Sequence, residues 1–329
     1  MISSFFFRIL VMIALGQVSA YDHAKVYDLK PNDFVYVIGD STTEDGTKPA
    51  GYVPLTNQAV QEQLPGKNLL VDGFHGGSGA TSVDHVKFVA PHLDQLLKKG
   101  GQAPTVVVIN IGLNDTGRGA GIPAYGDNLR KMVQDIRERK MTAVLCAPTT
   151  LRDLKTMEPY AAMARTVAAE IKCPLIDLNA AHGAHIIANT QDGKRLPGTD
   201  PTRDGCHLSA VGETISAMTF LQAFGLKPVW QNFQIRLVSM RELWSTGVWG
   251  TFTCVPDLPS YPAGSKVTVT LIPPPGDFEF SHWVDMDYSG NQNTHPFSQK
   301  TETITLTMDR HRFLMGYVRE KPKAAGAKP

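Results

Sequence analysis

From Asp33 to Gly225 short apolar runs alternate with longer stretches whose apolar positions recur at helical spacing. The runs Phe34–Ile38, Leu69–Val71, Val106–Ile111, Ala143–Ala147 and Leu175–Leu178 are β-branched or leucine-rich and nearly continuous. That pattern predicts strands buried on both faces. Between them it predicts helices over about Tyr52–Leu64, Ser82–Lys98, Ala124–Arg139 and Tyr160–Ile171, and a last one over Ala210–Phe224 with Ser209 as N-cap and Gly225 as stop. Strands and helices in this alternation specify a parallel sheet covered by helices on both faces.

The pattern changes after Lys227-Pro228. Period-two alternation over Lys266–Leu271 and Thr303–Thr307, punctuated by Pro262-Ala263-Gly264 and Pro273-Pro274-Pro275-Gly276, predicts a small antiparallel β domain. All four tryptophans, Trp230, Trp244, Trp249 and Trp283, fall past this boundary, and most are expected in the core of that domain. At the other end, the apolar run from Phe5 to Leu15, broken only by Arg8, is too short to span a bilayer. Val18-Ser19-Ala20 follows it with the small residues a signal peptidase accepts, so the run reads as a secretory signal with Tyr21 as the new N-terminus; an uncleaved anchor is the alternative. The expected organisation is a signal peptide over 1–20, an α/β domain over 21–227, a β domain over 228–320 and a disordered tail over 321–329. Export to the periplasm or the medium follows, with no membrane span after cleavage.

A chain of 329 residues has room for two such domains and needs no disulfide staples. Its 32 Lys+Arg against 31 Asp+Glu leave a formal charge of +1, and like charges gather only in a short basic tail (Arg319, Lys321, Lys323, Lys328). A nucleic-acid or other polyanion partner is therefore not expected. Cys146 and Cys173 are expected at opposite ends of adjacent strands, ~13 Å apart, against the ~7 Å that a disulfide tolerates. Cys206 sits in a candidate active-site loop and Cys254 in the β domain, so all four are expected as free thiols.

The chemistry gathers at the carboxyl ends of the strands, where open α/β sheets bind ligands. Strand one runs into Gly39-Asp40-Ser41, placing a hydroxyl in the crevice. Strand two is followed by Phe74-His75-Gly76-Gly77-Ser78-Gly79-Ala80-Thr81-Ser82, and strand three by Gly112-Leu113-Asn114-Asp115. In a doubly wound sheet of order 2-1-3-4-5 these three loops converge at the switch point. The Ser41 N–H, the Gly79 N–H and the Asn114 side-chain amide are then the expected donors to a developing oxyanion. Asp204-Gly205-Cys206-His207 precedes the last helix, and its spacing lets the Asp204 carboxylate reach Nδ1 of His207 while Nε2 faces Ser41. Asp40 and Asp115 are expected to brace their loops. Gly77-Ser78-Gly79 does not make a dinucleotide loop, since Ser82 stands where the third glycine belongs, and no P-loop lysine is present. His75, His85, His92, His182 and His185 lack partners at metal spacing and are expected as surface or helix-packing residues. No metal and no cofactor are expected.

With these blocks in this order, the stretch over about 33–226 resembles the SGNH/GDSL hydrolase superfamily: Gly39-Asp40-Ser41, then Ser78-Gly79-Ala80-Thr81-Ser82, Gly112-Leu113-Asn114-Asp115 and Asp204-Gly205-Cys206-His207. The second block departs from the family pattern, with Phe74 where an Asn is common upstream and Ala80 where an Asp is common after the glycine. The resemblance implies a flavodoxin-like three-layer α/β/α domain and a metal-free serine esterase with Ser41 as nucleophile, His207 as base and Asp204 as its orienting carboxylate. Further on, Tyr261–Thr270, Phe280-Ser281-His282-Trp283 and Ile304–Asp309 are similar to the divergent internalin-B-type repeat of exported bacterial proteins, over about 240–318. That likeness implies a surface, spacer or adhesion module. The expected function is an exported serine esterase removing acetyl or another short acyl group from a carbohydrate or other small-molecule or polysaccharide ester, through an acyl-enzyme. A lipid or thioester acyl hydrolase and a non-catalytic glycan-binding protein are the alternatives, and the oligomeric state is open.

Overall fold

The computed structural model describes residues 21–75, 77–100, 102–119, 121–150, 154–196, 199–241, 249–285 and 301–322. The expected signal segment, most of the expected tail and Trp244 lie outside the described residues.

The first two-thirds of the chain lays down β1 (Phe34–Gly39), α1 (Ser41–Gly46), α2 (Tyr52–Gln63), β2 (Leu70–His75), α3 (Ser82–Lys98), β3 (Val106–Asn110), α4 (Asp115–Arg118), α5 (Ile122–Glu138), β4 (Thr142–Ala147), α6 (Leu154–Glu170), β5 (Leu175–Asp177), α7 (Leu178–Ala188), the small hairpin β6 (Thr190–Gln191) and β7 (Lys194–Arg195), and α8 (Ala210–Ala223). Strands β1 to β5 form one parallel sheet in the order β2-β1-β3-β4-β5. Every residue of β1 and β3 is buried. Phe34, Tyr36 and Ile38 face the cluster made with α3, α5 and α6, while Val35 and Val37 face the one made with α2 and α8. A strand whose two faces both meet helices needs apolar residues at every position, and that is why these runs are continuous. The fold is thus the three-layer α/β/α arrangement with β1 at the switch point.

Local chemistry explains the departures from the expected boundaries. Strand β5 stops at Asp177 because the Asp177 carboxylate accepts the Ala180 N–H and caps α7, a helix the apolar pattern does not separate from the strand before it. Helix α6 starts before Pro159, which sits inside it. Strand β2 continues through Asp72 and Gly73 because it is the edge of the sheet, where polar positions meet solvent. Cys173 donates its Sγ–H to Ala143 O, at the far end of β4 from Cys146, so the two thiols lie apart as the strand order requires.

The remaining described residues form β8 (Asn232–Phe233), β9 (Ile235–Arg241), β10 (Thr251–Val255), β11 (Tyr261–Pro262), β12 (Lys266–Ile272), β13 (Phe278–Asp285), β14 (Thr303–Thr307) and β15 (Arg312–Glu320). The sheets β10-β12-β14 and β8-β11 are antiparallel, and so is the β13/β15 pair. Between β9 and β15 the pairing is parallel. Alternation within a strand reports which face is buried and not the direction of its neighbour, so this exception has no sequence signal. Val267, Val269, Leu271, Trp283, Ile304, Leu306 and Val318 fill the core. Trp230 does not join them: it packs in the cluster under α2 and α8 and donates its indole N–H to Leu55 O. Among the described residues no helix is long and apolar enough to cross a membrane.

Candidate active site

The chain leaves β1 through Gly39, where any Cβ would collide with the Thr43 side chain and the Asn110 carbonyl. Asp40 then caps α1: its Oδ1 accepts the Thr42 N–H and the Thr42 hydroxyl, both at 2.9 Å, and its carbonyl accepts the N–H groups of Thr43 and Glu44 at 3.0 Å. Ser41 is the first residue of the helix, so its own N–H has no partner within the helix. Behind α1 the fully buried Tyr52 hydroxyl meets Thr43 Oγ1 at 2.9 Å and accepts from Asn110 Nδ2 at 3.1 Å, fixing the helix from below.

The loop before α8 brings His207 to this hydroxyl. Ser41 Oγ stands 3.2 Å from His207 Nε2, and His207 Nδ1 stands 2.8 Å from Asp204 Oδ2. Asp204 Oδ1 also accepts the backbone N–H groups of Cys206 (2.9 Å) and His207 (2.7 Å), so one carboxylate shapes the turn and orients the ring. Gly205 takes the left-handed φ of +92° that closes this turn. With the proton held on Nδ1, Nε2 is left to accept from the Ser41 hydroxyl. The Asp204 bond raises the pKa of His207, against the opposing pull of burial. Although burial acts to raise the Asp204 pKa, the bonds from the His207 ring and the two backbone N–H groups outweigh it and hold the carboxyl well below its usual range.

Asn114 and Gly79 arrive from the neighbouring loops. Asn114 Nδ2 donates to Asp40 Oδ2 at 3.2 Å and to Ala80 O at 3.1 Å, so both amide hydrogens already have acceptors. Asp115 next to it is buried and takes the Ser82 hydroxyl at 2.6 Å and the Ser82 N–H at 2.9 Å, tying the third loop to the start of α3. Gly79 adopts φ +79°, and a Cβ there would sit 2.5 Å from the Arg118 guanidinium. Arg118, which belongs to none of the sequence motifs, lies over Gly79 and donates to Asn114 Oδ1 at 3.0 Å. Its one available signal was the four-residue spacing from Asn114 on a helical turn. Gly79, Thr81, Val83, Asp84, Arg118 and Gly119 line an adjoining cleft of about 380 Å³.

All the expected site residues therefore meet in one place. The histidines outside it do not: His85 lies with its two ring nitrogens 3.1 Å from Thr81 O and Gly39 O, His182 meets Ser216 Oγ, His185 meets Thr199 O, and His92 stacks on Phe74 and Phe88. The His75 side chain lies outside the described residues.

A parallel α/β/α sheet with a serine, histidine and aspartate aligned at its carboxyl edge is the architecture of a serine hydrolase. The chain belongs to the GDSL-like lipase/acylhydrolase family, whose sequence model matches residues 37–215, and it is a serine ester hydrolase. Among solved structures its fold is similar to the acetyl xylan esterase AlAXEase (TM-score 0.50, 22% identity, covering 58% of this chain and 98% of that one). It is similar also to a catalytic mutant of Axe2, an acetylxylan esterase from Geobacillus stearothermophilus (TM-score 0.50, 21% identity, covering 62% of this chain and 99% of that one). No curated protein sequence matches the chain. At these identities the structures establish the shared fold, and each leaves about two-fifths of this chain uncovered.

Proposed function

We propose that the protein is an exported esterase that removes acetyl or similarly short acyl groups from carbohydrate esters, with Ser41 as nucleophile, His207 as general base and acid, and Asp204 as the carboxylate that orients it. The observation that carries the chemistry is the aligned row of Ser41 Oγ, His207 and Asp204 at 3.2 and 2.8 Å. His207 Nε2 takes the hydroxyl proton as Ser41 Oγ attacks the ester carbonyl. The tetrahedral oxyanion is held by the N–H groups of Ser41 and Gly79 and by Asn114 Nδ2, which exchanges one of its present acceptors for it. The C–O bond to the alcohol breaks, and the proton on His207 leaves with that alcohol. Water then attacks the acyl-enzyme with His207 again as base, releasing the acid and restoring Ser41.

Three features support a short acyl group on a sugar. The cleft beside Gly79 is lined by Thr81, Asp84 and Arg118 with a single apolar side chain, Val83, which suits a polyol and not a long alkyl chain. The two similar structures named above are both acetylxylan esterases. Without a strong net charge to recruit a charged polymer, selectivity falls to cleft shape and local polar groups. Export is supported by the apolar run at 5–15 and by the likeness of 240–318 to modules of exported bacterial proteins.

Hydrolysis of p-nitrophenyl esters from acetate to palmitate, followed by a panel of acetylated polysaccharides, tests the reading. Turnover is expected to fall steeply beyond short acyl chains and acetate to be released from at least one polysaccharide. A preference for palmitate would replace the carbohydrate assignment with a lipid one.

A further inference from the structure

Asp45 lies one helical turn beyond Ser41 on α1 and is clasped from two sides by arginines that belong to distant parts of the chain. Arg203 comes from the loop of His207, where its backbone N–H donates to His207 O at 2.9 Å, and its guanidinium pairs with Asp45 Oδ2. Arg236 comes from β9, past Lys227; it donates from Nη2 to Asp45 Oδ1 at 3.0 Å and from Nη1 to Asp45 O at 3.2 Å. Phe313 of β15 lies beneath both guanidinium groups, 4.3 Å from Arg236 Cζ and 5.6 Å from Arg203 Cζ. Lys48 completes the cation set on Asp45 at 2.7 Å. Glu213 of α8 stands 3.9 Å from Arg236 Nη1 and binds the Tyr52 N–H through its other oxygen.

Arg236, Glu213 and Phe313 are all at least nine-tenths buried. Buried charges are held at a desolvation cost that surface pairs escape, so a cluster of this kind is explained by the geometry it fixes rather than by stability. Here the geometry runs parallel to the reacting contact. The Ser41–His207 approach and the Asp45–Arg203 pair join the same helix to the same loop, four residues apart on each side.

We infer that Arg203 and Arg236, through Asp45, are positioning residues that set the distance between the Ser41 helix and the His207 loop, and that the β region past Lys227 is for this reason a working part of the active site and not a detachable spacer. The inference rests on the assignment of Ser41 and His207 as the reacting pair. Misplacing reacting groups by about 1 Å lowers turnover by about 10²-fold.

Steady-state kinetics on p-nitrophenyl acetate with melting curves alongside provide the test. Arg203→Met keeps an unbranched side chain and leaves Asp45 paired to Lys48 and Arg236. It is expected to melt as wild type, to lose about 10²-fold in kcat and to keep KM within about twofold. Arg203 makes a single contact to Asp45, within reach of an ammonium, so Arg203→Lys is expected to recover most of the loss. Arg236→Lys keeps the buried charge but loses the forked, stacked geometry, and is expected to lower kcat about tenfold in a folded protein. Wild-type kcat in a folded Arg203→Met, or a loss that Lys does not rescue, overturns the inference. If Arg203→Met does not fold, Arg236→Lys decides: wild-type kcat overturns the inference and a lowered kcat at unchanged KM sustains it. Ser41→Ala run in parallel separates the two claims, because turnover surviving that change refutes the reacting pair itself.

Discussion

His207 presents Nε2 to the Ser41 hydroxyl at 3.2 Å, although 166 residues of chain separate the two. Ser41 is held at the head of a short helix by the Asp40 cap, and His207 by a turn in which the Cys206 and His207 N–H groups both donate to Asp204. Neither partner depends on a mobile side chain alone. Removing the hydroxyl should therefore remove the reaction: Ser41→Ala is expected to lower kcat on p-nitrophenyl acetate by at least ~10⁴-fold with folding unchanged. Equal slow rates in the two proteins would sink the nucleophile assignment.

The pH profile follows from the Asp204–His207 bond. That bond raises the His207 pKa, and the base works only when neutral, so kcat/KM is expected to rise with pH through a midpoint above that of an ordinary histidine. In Asp204→Asn the imidazolium loses its stabilising carboxylate. The acid limb should move to lower pH while kcat falls by about 10²–10⁴-fold, since an amide no longer enforces the tautomer. An acid limb that stays in place would assign the titration to another group.

Asn114 is bound on both amide hydrogens in the free protein, by Asp40 and Ala80 O. If one of them turns to the oxyanion, the gain arises only in the transition state. Asn114→Ala is expected to lower kcat by about 10²–10³-fold with little change in KM. A raised KM at intact kcat would make Asn114 a substrate-binding residue instead.

Burial pushes the Glu213 carboxyl up to about 7, from an ordinary value of 4.5. Between these values the folded protein keeps a proton that the unfolded chain has released, so stability is expected to fall as pH rises through this window and to stay lower above it. Glu213→Gln has no proton to lose. Its melting temperature, measured from pH 4 to 8, should lack that part of the decline, and a curve parallel to wild type would show that Glu213 ionises normally.

Gly39 ends β1 with the Thr43 side chain and the Asn110 carbonyl where a Cβ would go. Gly39→Ala forces backbone to move at the base of the Ser41 helix. A loss of about 1–3 kcal/mol in urea unfolding is expected, together with a lower kcat. Wild-type values for both would mean that β1 and α1 separate freely.

Much of this was legible in the sequence because it is local. Continuous apolar runs mark strands with helices on both faces, α3 begins at Ser82 as its apolar spacing predicts, and α8 begins after its Ser209 cap. The strand order places the loops of Ser41, Gly79 and Asn114 side by side, and the three-residue spacing of Asp204 and His207 lets one turn carry both. Helix α7 was hidden because Leu178 continues the apolar run of β5, and Trp230 because no pattern tells which of two cores a side chain enters.

The sequence by itself determined the layer architecture, the serine at the carboxyl end of the first strand and the aspartate–histidine turn before the last helix, since each depends on residues within a few positions of one another. Tertiary structure alone decided that Arg203, Arg236 and Phe313 meet around Asp45, that Arg118 covers Gly79 and that β9 pairs in parallel with β15. Those contacts join segments with no shared periodicity, and charge and aromatic pairing across a fold leave no mark at either position until the chain has closed.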